Sequence, residues 1–186
     1  MIVALTGNTE HDGNHAVSDL AEELALLRVA AGNRVLLVCP EPCAYDPQLY
    51  DDLVIDASRN EDRDAASLAG AAVIVALLRR ADLQHPDHQH HAALLARLRA
   101  ASAANPGARV LVTVAHGSEP LTPHQTGCLL VFVAQLPGAR LADTLVLDHD
   151  TYHTHHSAFE ADAYKTANVL CAPEVRHLYR QVFSSR

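Results

Sequence analysis

Aromatic residues and long apolar runs are scarce in this chain of 186 residues. Only 4% of the residues are aromatic whereas 49% are hydrophobic, so we expect a core packed mainly with Ala, Leu and Val. No apolar run approaches the ~18 residues of a membrane span, and no basic leader precedes the first run, so neither a span nor a signal peptide is expected. The length suits one domain with a sizeable core, and we predict a single domain over residues 1–186.

Basic residues are outnumbered by acidic ones. The 14 Lys and Arg against 22 Asp and Glu give a formal charge of −8. This balance opposes non-specific binding of nucleic acid through the whole surface, although a local basic patch would escape it. The four cysteines have no paired metal-ligand spacing, and we expect them to be reduced and mostly buried. These features together predict a soluble cytoplasmic protein.

Short apolar runs alternate with amphipathic segments along the chain. Strands are predicted over residues 1–6, 33–38, 52–56, 72–77, 109–114 and 141–147. Helices are predicted over residues 14–31, 60–70, 88–101 and 157–164, and from residues 123 and 173 onward. Gly32 is placed to end the first helix, and Thr122 and Gln125 match a capping box. The alternation predicts an α/β fold with a mainly parallel sheet and helices on both of its faces.

The segment between the first strand and the first helix has the frame of a phosphate-binding P-loop. It reads GNTEHDGNH from Gly7 to His15. Asn14 stands where the phosphate-binding lysine would be expected, and His15 stands where the Mg²⁺-binding Ser or Thr would follow. The order of elements is therefore that of a nucleotide-binding unit, but the residues that would bind the phosphate and Mg²⁺ are replaced.

Five stretches carry a family likeness: VALTGNTEHDGNHAVSDLAEEL, AAGNRVLLVCPEP, YDDLVIDASRNEDRDAASLAGAAVIVALLRRADL, RVLVTVAHGSE and DTLVLDHDTYHTHHSAFEADA. On these stretches the chain resembles the ParA/MinD group of deviant Walker P-loop ATPases, particularly the small plasmid-partition ParA proteins. The resemblance covers almost the whole chain in order. It implies a P-loop NTPase (ParA/MinD-like) architecture. It also implies a homodimer, or a heterodimer with an intact ParA-like protein, formed across the nucleotide face.

The resemblance also implies the positions of a degenerate nucleotide site. Gly13 matches the glycine before the Walker lysine, so Asn14 replaces that lysine and His15 replaces the Mg²⁺-binding Thr. Thr9 takes the position of the family's second, signature lysine. Asp56 matches the Walker B aspartate and is the clear survivor of the set.

The replaced groups are those on which phosphoryl transfer depends. Cys39 stands in place of the aspartate that positions the attacking water in the family. Because the reaction relies on positioning and charge neutralisation, we expect no useful ATP hydrolysis. Backbone N–H groups and the helix dipole still favour an anion, but Glu10 and Asp12 oppose a triphosphate, so ATP binding should be weak or absent. A plain strand-to-helix turn is the simpler interpretation of the loop.

These features predict a pseudo-ATPase that acts as a binding or scaffolding protein in plasmid or cargo partitioning, or in conjugative transfer. It would work through a protein partner and not through a membrane. An alternative from another class is a metal-binding enzyme or sensor, with His11, His15 and Asp56 as ligands of a divalent metal in the same cleft. DNA binding through the sparse arginine clusters is a third interpretation and is not favoured. Those clusters are Arg79 and Arg80, Arg97 and Arg99, and Arg176, Arg180 and Arg186.

Histidines form two further groups. One contains His88 and His91, which lie one helical turn apart, and the other contains His153 and His156. Imidazole at such spacing can hold Zn²⁺ or Ni²⁺, so these four histidines are candidate metal ligands. Neither stretch matches a closed structural-zinc pattern, and pH-sensitive surface loops are the simpler interpretation.

Overall fold

The computed structural model describes residues 1–8, 16–38, 46–58, 61–84, 89–116, 119–142, 145–146 and 173–184. Within these ranges the strands are β1 Ile2–Gly7, β2 Val35–Val38, β3 Asp52–Asp56, β4 Val73–Arg79, β5 Arg109–His116, β6 Arg140–Leu141 and β7 Leu145–Val146. The helices are α1 Ala16–Ala30, α2 Glu61–Gly70, α3 Gln89–Ala104, α4 Pro123–Ala134 and α5 Pro173–Phe183, with 3₁₀ turns at Pro47–Leu49 and Arg80–Leu83. No described helix combines the length and the hydropathy that crossing a bilayer requires.

The strands form one sheet in the order β2-β3-β1-β4-β5, with β6 and β7 both beside β5. Every pairing between described strands is parallel. β6 pairs with residues 111–112 and β7 with residues 115–116, so the two short segments together occupy one strand position at the edge. The predicted α/β fold with a mainly parallel sheet is confirmed, and its order is consistent with a P-loop NTPase-like architecture.

Alternate residues of the central strands enter two separate cores. Ala4 and Ile74 point to the face covered by α2, α3 and α4. Leu5 and Val75 point to the face covered by α1 and α5. Because helices cover both faces, the strands are buried on both sides and read as continuous apolar runs. The prediction of helices on both faces is therefore also confirmed.

Most differences from the predicted elements lie at their ends, but the single strand predicted over residues 141–147 is found as two short segments, Arg140–Leu141 and Leu145–Val146. β4 and β5 continue to Arg79 and His116, beyond the predicted ends at residues 77 and 114. Helix α3 continues to Ala104, beyond the predicted end at residue 101. The predictions follow the apolar residues that pack in the core. Strand pairing and helical hydrogen bonds continue beyond the last of these residues, so the observed elements are longer. The helix predicted over residues 157–164 lies outside the described ranges.

Two helix ends follow the local signals in the sequence. The Thr122 hydroxyl accepts a hydrogen bond from the Gln125 N–H at 3.3 Å, and the Gln125 side chain accepts one from the Thr122 N–H at 2.9 Å. Pro123 is the first residue of α4, where its missing N–H costs nothing. Gly32 has a φ of +88°, the left-handed conformation that ends α1. Both predictions are confirmed.

Candidate functional site at the carboxyl ends of the strands

The carboxyl ends of three adjacent strands meet above the middle of the sheet. β1 lies between β3 and β4, and these strands end at Gly7, Asp56 and Arg79. Helix α1 packs over this edge from one face. In open α/β sheets, ligands bind in the crevice outside the carboxyl ends of the strands. This edge of the sheet is therefore the candidate location of a ligand-binding site.

Asp56 is the acidic group of this edge. The residue is 5% exposed, and its side chain lies on the α1 face of the sheet, next to Leu5 of β1 in the strand register. Oδ2 accepts a hydrogen bond from the Ser18 hydroxyl at 2.6 Å. Oδ1 accepts bonds from the Ser58 hydroxyl at 2.5 Å and from the Ser58 N–H at 3.1 Å. Both carboxylate oxygens therefore have donors, as a buried charge requires.

Ser18 is the site residue that sequence reasoning missed. The resemblance assigned the Mg²⁺-binding hydroxyl position to His15, which lies outside the described residues. The hydroxyl that reaches Asp56 comes instead from Ser18 near the start of α1. One signal was available in the sequence, since Ser18 is the only Ser or Thr of α1 and follows the buried Val17.

Gly7 allows α1 to approach the sheet closely enough for this contact. A Cβ at Gly7 would lie 2.8 Å from Val17 Cγ2 and 2.9 Å from the Leu77 carbonyl oxygen. Since real Cβ atoms do not come that close, the end of β1 accepts only glycine without a shift of α1 or β4. The absence of a side chain at Gly7 thus allows the short packing distance between the first turn of α1 and the end of β1.

Arg97 reaches the end of β1 from the opposite face. Its Nη2 donates a hydrogen bond to the Gly7 carbonyl oxygen at 2.8 Å. Its Nε is buried and has no acceptor in the part of the chain that the structure describes, and the same holds for the buried Thr6 hydroxyl. Arg97 is partly buried, and this hydrogen bond gives its guanidinium a contact inside the fold, while its part in the DNA-binding interpretation stays a prediction. A 90-residue separation from Gly7 hid this contact from the sequence pattern.

The other arginines at this edge are paired with carboxylates. Arg79 donates to both oxygens of Asp82, at 3.2 and 2.8 Å. Arg80 forms an ion pair with Glu119 at 3.0 Å. These pairs neutralise charge that a phosphate backbone would otherwise meet, which weakens the DNA-binding interpretation of this cluster.

His91 is a core histidine between α3, the second 3₁₀ turn and α4. The residue is 6% exposed, and its ring lies edge-on to Phe132, with ring centroids 5.4 Å apart. Nε2 lies 2.8 Å from the Asp82 carbonyl oxygen, which can only accept, so Nε2 carries the proton. Nδ1 is buried and unpartnered among the described residues and would be the nitrogen left for a metal. Its predicted companion His88 lies outside the described residues, as do His153 and His156.

The remaining predicted site residues also lie outside the described ranges. They are Thr9, His11, Gly13, Asn14, His15 and Cys39. Among the described residues no group of three or more His, Cys, Asp or Glu could hold a metal ion. The serine donors already use three of the roughly four acceptor positions of the Asp56 carboxylate, which leaves little capacity for a metal ion. The alternative metal site with His11 and His15 stays a prediction.

The parallel sheet with helices on both faces defines the class of the protein. It is an α/β protein with a central β1 flanked by β3 and β4, consistent with a P-loop NTPase-like architecture. Compared with known proteins, the chain matches no family model and no curated protein sequence. A function must therefore be argued from the site itself.

Proposed function

We propose that this protein is a ParA/MinD-like pseudo-ATPase, a binding or scaffolding protein in the partitioning of plasmid or other cargo or in conjugative transfer. The observation that carries the proposal is the 2.6 Å hydrogen bond between Ser18 and Asp56. In P-loop proteins a hydroxyl at the start of the helix after the loop binds Mg²⁺. Here the Ser18 hydroxyl and a carboxylate are present together beside a loop that contains no lysine.

The missing cation is the reason to expect no hydrolysis. Lys165 is the only lysine of the whole chain, so no residue before it can act as a P-loop lysine. The guanidinium of Arg97, which reaches the residue where the loop begins, donates to the Gly7 carbonyl oxygen. Transfer of a phosphoryl group needs fixed positive charge around its oxygens, and without it the barrier stays high.

Asp56 and its two serine donors support a structural role for the degenerate nucleotide site. Asp56 joins β3 to α1 through Ser18 and turns the chain after β3 through Ser58. A carboxylate with three donors stabilises the folded edge whether or not a nucleotide is present. The edge is then a preformed surface for a protein partner, either a second copy or a ParA-like relative.

ATP turnover by the purified protein tests the loss of activity. We expect no Mg²⁺-dependent phosphate release above the rate without protein, and the same result for Asp56→Asn. Turnover by the wild type that Asp56→Asn abolishes would overturn the proposal. Circular dichroism of both proteins shows whether the variant is folded.

Oligomeric state tests the scaffolding part. We expect the molar mass from light scattering to be the same with and without Mg²⁺–ATP, because the site no longer senses nucleotide. A dimer that forms only with Mg²⁺–ATP would show that the site still binds nucleotide and responds to it, which would overturn the expectation of weak or absent ATP binding.

Restoring the lost residues tests the architecture. The double variant Asn14→Lys and His15→Thr returns the lysine and the hydroxyl to the loop. We expect it to bind ATP about tenfold or more tightly than the wild type, the value of one charge-assisted phosphate contact. His124→Lys adds the same charge on the exposed surface of α4 and should leave ATP affinity unchanged.

A further inference from the structure

The outer surface of α4 carries a cysteine and a histidine side by side. Cys128 Sγ and His124 Nε2 lie 3.8 Å apart, on residues four positions apart in the helix. Residues with this spacing are neighbours on a helical surface. Cys128 is a free, partly buried thiol, and His124 is exposed. Helix α4 covers the face of the sheet opposite α1, so this pair is separate from Asp56.

The distance between the two donor atoms is close to the distance between two ligands of one zinc ion. Thiolate sulfur and imidazole nitrogen bind Zn²⁺ at about 2.3 and 2.0–2.1 Å, so a tetrahedral angle places the two atoms about 3.6 Å apart. Sulfur and imidazole nitrogen are also ligand types that zinc binds well. A small movement of the two side chains is therefore enough for both to bind the same ion.

One copy of the chain supplies two of the four ligands that a closed zinc site needs. No third His, Cys, Asp or Glu joins the pair within the part of the chain that the structure describes. Structural zinc sites are closed by four protein ligands, and two cysteines with two histidines are a common set. A two-fold axis through the ion would bring the same pair from a second copy and complete this set.

The surface of α4 beside the pair is compatible with a second copy. Leu130 is 53% exposed and Val131 is 49% exposed, so two apolar side chains lie uncovered next to Cys128. Helix α4 contains no Asp, Glu, Lys or Arg, whereas the whole chain carries a formal charge of −8. Two copies with this charge repel each other on average, but two α4 helices can meet without like charges in contact. Burial of the apolar side chains would add to the stabilisation by the metal.

We propose that α4 forms a zinc site shared by two copies of the chain, with Cys128 Sγ and His124 Nε2 of each copy as the four ligands. The site is independent of the function proposed above, because it uses neither Asp56 nor a nucleotide. When the ion binds, each thiol loses its proton to water and the imidazoles stay neutral. Two thiolates then balance the charge of Zn²⁺, so the centre enclosed between the two chains has no net charge and is less costly to bury.

Zinc titration of the full chain, purified without a histidine tag and kept reduced, tests the proposal. We expect one tightly bound Zn²⁺ for every two chains, and a molar mass from light scattering that is twice the value after EDTA. Co²⁺ in place of Zn²⁺ should give the absorption bands of a thiolate bound to a tetrahedral ion. Cys128→Ser and His124→Gln should each weaken zinc binding by about tenfold or more and remove the zinc-dependent dimer. Cys171→Ser removes another thiol of the chain and should leave both unchanged.

A second pair of variants tests the contact between the two helices. Val131→Glu places a negative charge beside the ligands of both copies and should prevent the zinc-dependent dimer, whereas Leu49→Glu changes an exposed leucine outside α4 and should not. Circular dichroism shows whether each variant is folded.

Four outcomes would overturn the proposal. The first is one Zn²⁺ per chain with no change in molar mass. The second is a zinc affinity and a zinc-dependent dimer that Cys128→Ser leaves as in the wild type. The third is an equal loss of both in Cys128→Ser and Cys171→Ser, and the fourth is an equal loss of the dimer in Val131→Glu and Leu49→Glu.

Discussion

At the residue scale, a buried carboxylate joins parts of the chain that are far apart in sequence. Asp56 ends β3, and its oxygens receive donors from Ser18 of α1 and from Ser58 in the following turn. Each donor compensates for part of the cost of removing the charge from water. The stability of this edge therefore depends on several hydrogen bonds from serine, each of which contributes only a small free energy.

Removing one donor should expose that dependence. Ser18→Ala leaves Asp56 Oδ2 without its 2.6 Å partner, and we expect a loss of about 1–3 kcal/mol in the free energy of unfolding. Ser58→Ala should cost less, because the Ser58 N–H still donates to Oδ1. Urea denaturation measures both. A Ser18→Ala protein as stable as the wild type would show that water replaces the serine at no cost.

At the element scale, the packing of α1 on the sheet depends on the absence of a side chain at Gly7. The glycine lies where β1, β4 and α1 converge, with Val17 Cγ2 and the Leu77 carbonyl oxygen as the nearest atoms to a built Cβ. The carbonyl belongs to a paired strand and cannot move without breaking the register between β1 and β4. Helix position and strand pairing are thus coupled at one residue.

Gly7→Ala should therefore destabilise the protein. We expect a loss of about 1–3 kcal/mol, the usual cost of overpacking a well-packed core. Gly127→Ala is the matched control, because Gly127 lies inside α4 and a Cβ there meets nothing within 4 Å. That control should gain about 0.5–1 kcal/mol from its higher helix propensity. Thermal denaturation of both variants checks the opposite signs.

At the scale of the whole molecule, the amino edge of the sheet is held by a charged network around Asp52. This carboxylate accepts hydrogen bonds from the Met1 amine at 2.9 Å and from Arg28 Nε at 2.6 Å. The Arg28 guanidinium also lies 4.8 Å from the centre of the Phe183 ring. The network therefore connects β1, β3, α1 and α5.

This network should make stability depend on acidic pH. Burial raises the pKa of Asp52, but hydrogen bonds from the Met1 amine and Arg28 outweigh it, and the net pKa is lowered. Because the folded pKa lies below the unfolded value of about 3.9, the stabilisation is complete above that pH and is lost as pH falls through the folded pKa. Hydrogen bonds from Arg34 lower the pKa of Asp51 to about 2 with the same sign.

Urea denaturation between pH 2 and 7 measures this dependence. Asp52→Asn should lower the free energy of unfolding by about 2 kcal/mol at neutral pH and flatten the acid limb. Asp51→Asn removes an exposed partner and should have a smaller effect. An acid limb unchanged in Asp52→Asn would mean that other carboxylates dominate the acid response.

The sequence by itself determined the local features of this protein. Apolar runs predicted the strands of the sheet, Thr122 and Gly32 marked helix ends, and Asp56 was placed at the end of β3. These features depend on residues within a few positions of one another, where periodicity and capping act directly. Such signals give the class of the fold and half of the carboxylate–hydroxyl pair.

Only the tertiary structure decided which distant groups meet. The Ser18 contact with Asp56, the Arg97 contact with Gly7 and the Arg28 contact with Asp52 each join segments that no periodicity relates. Their geometry follows from the parallel sheet, which brings strand ends and helix ends together at two opposite edges. Long-range packing sets the positions of these contacting groups, and a pattern of residues along the chain contains no information about such packing.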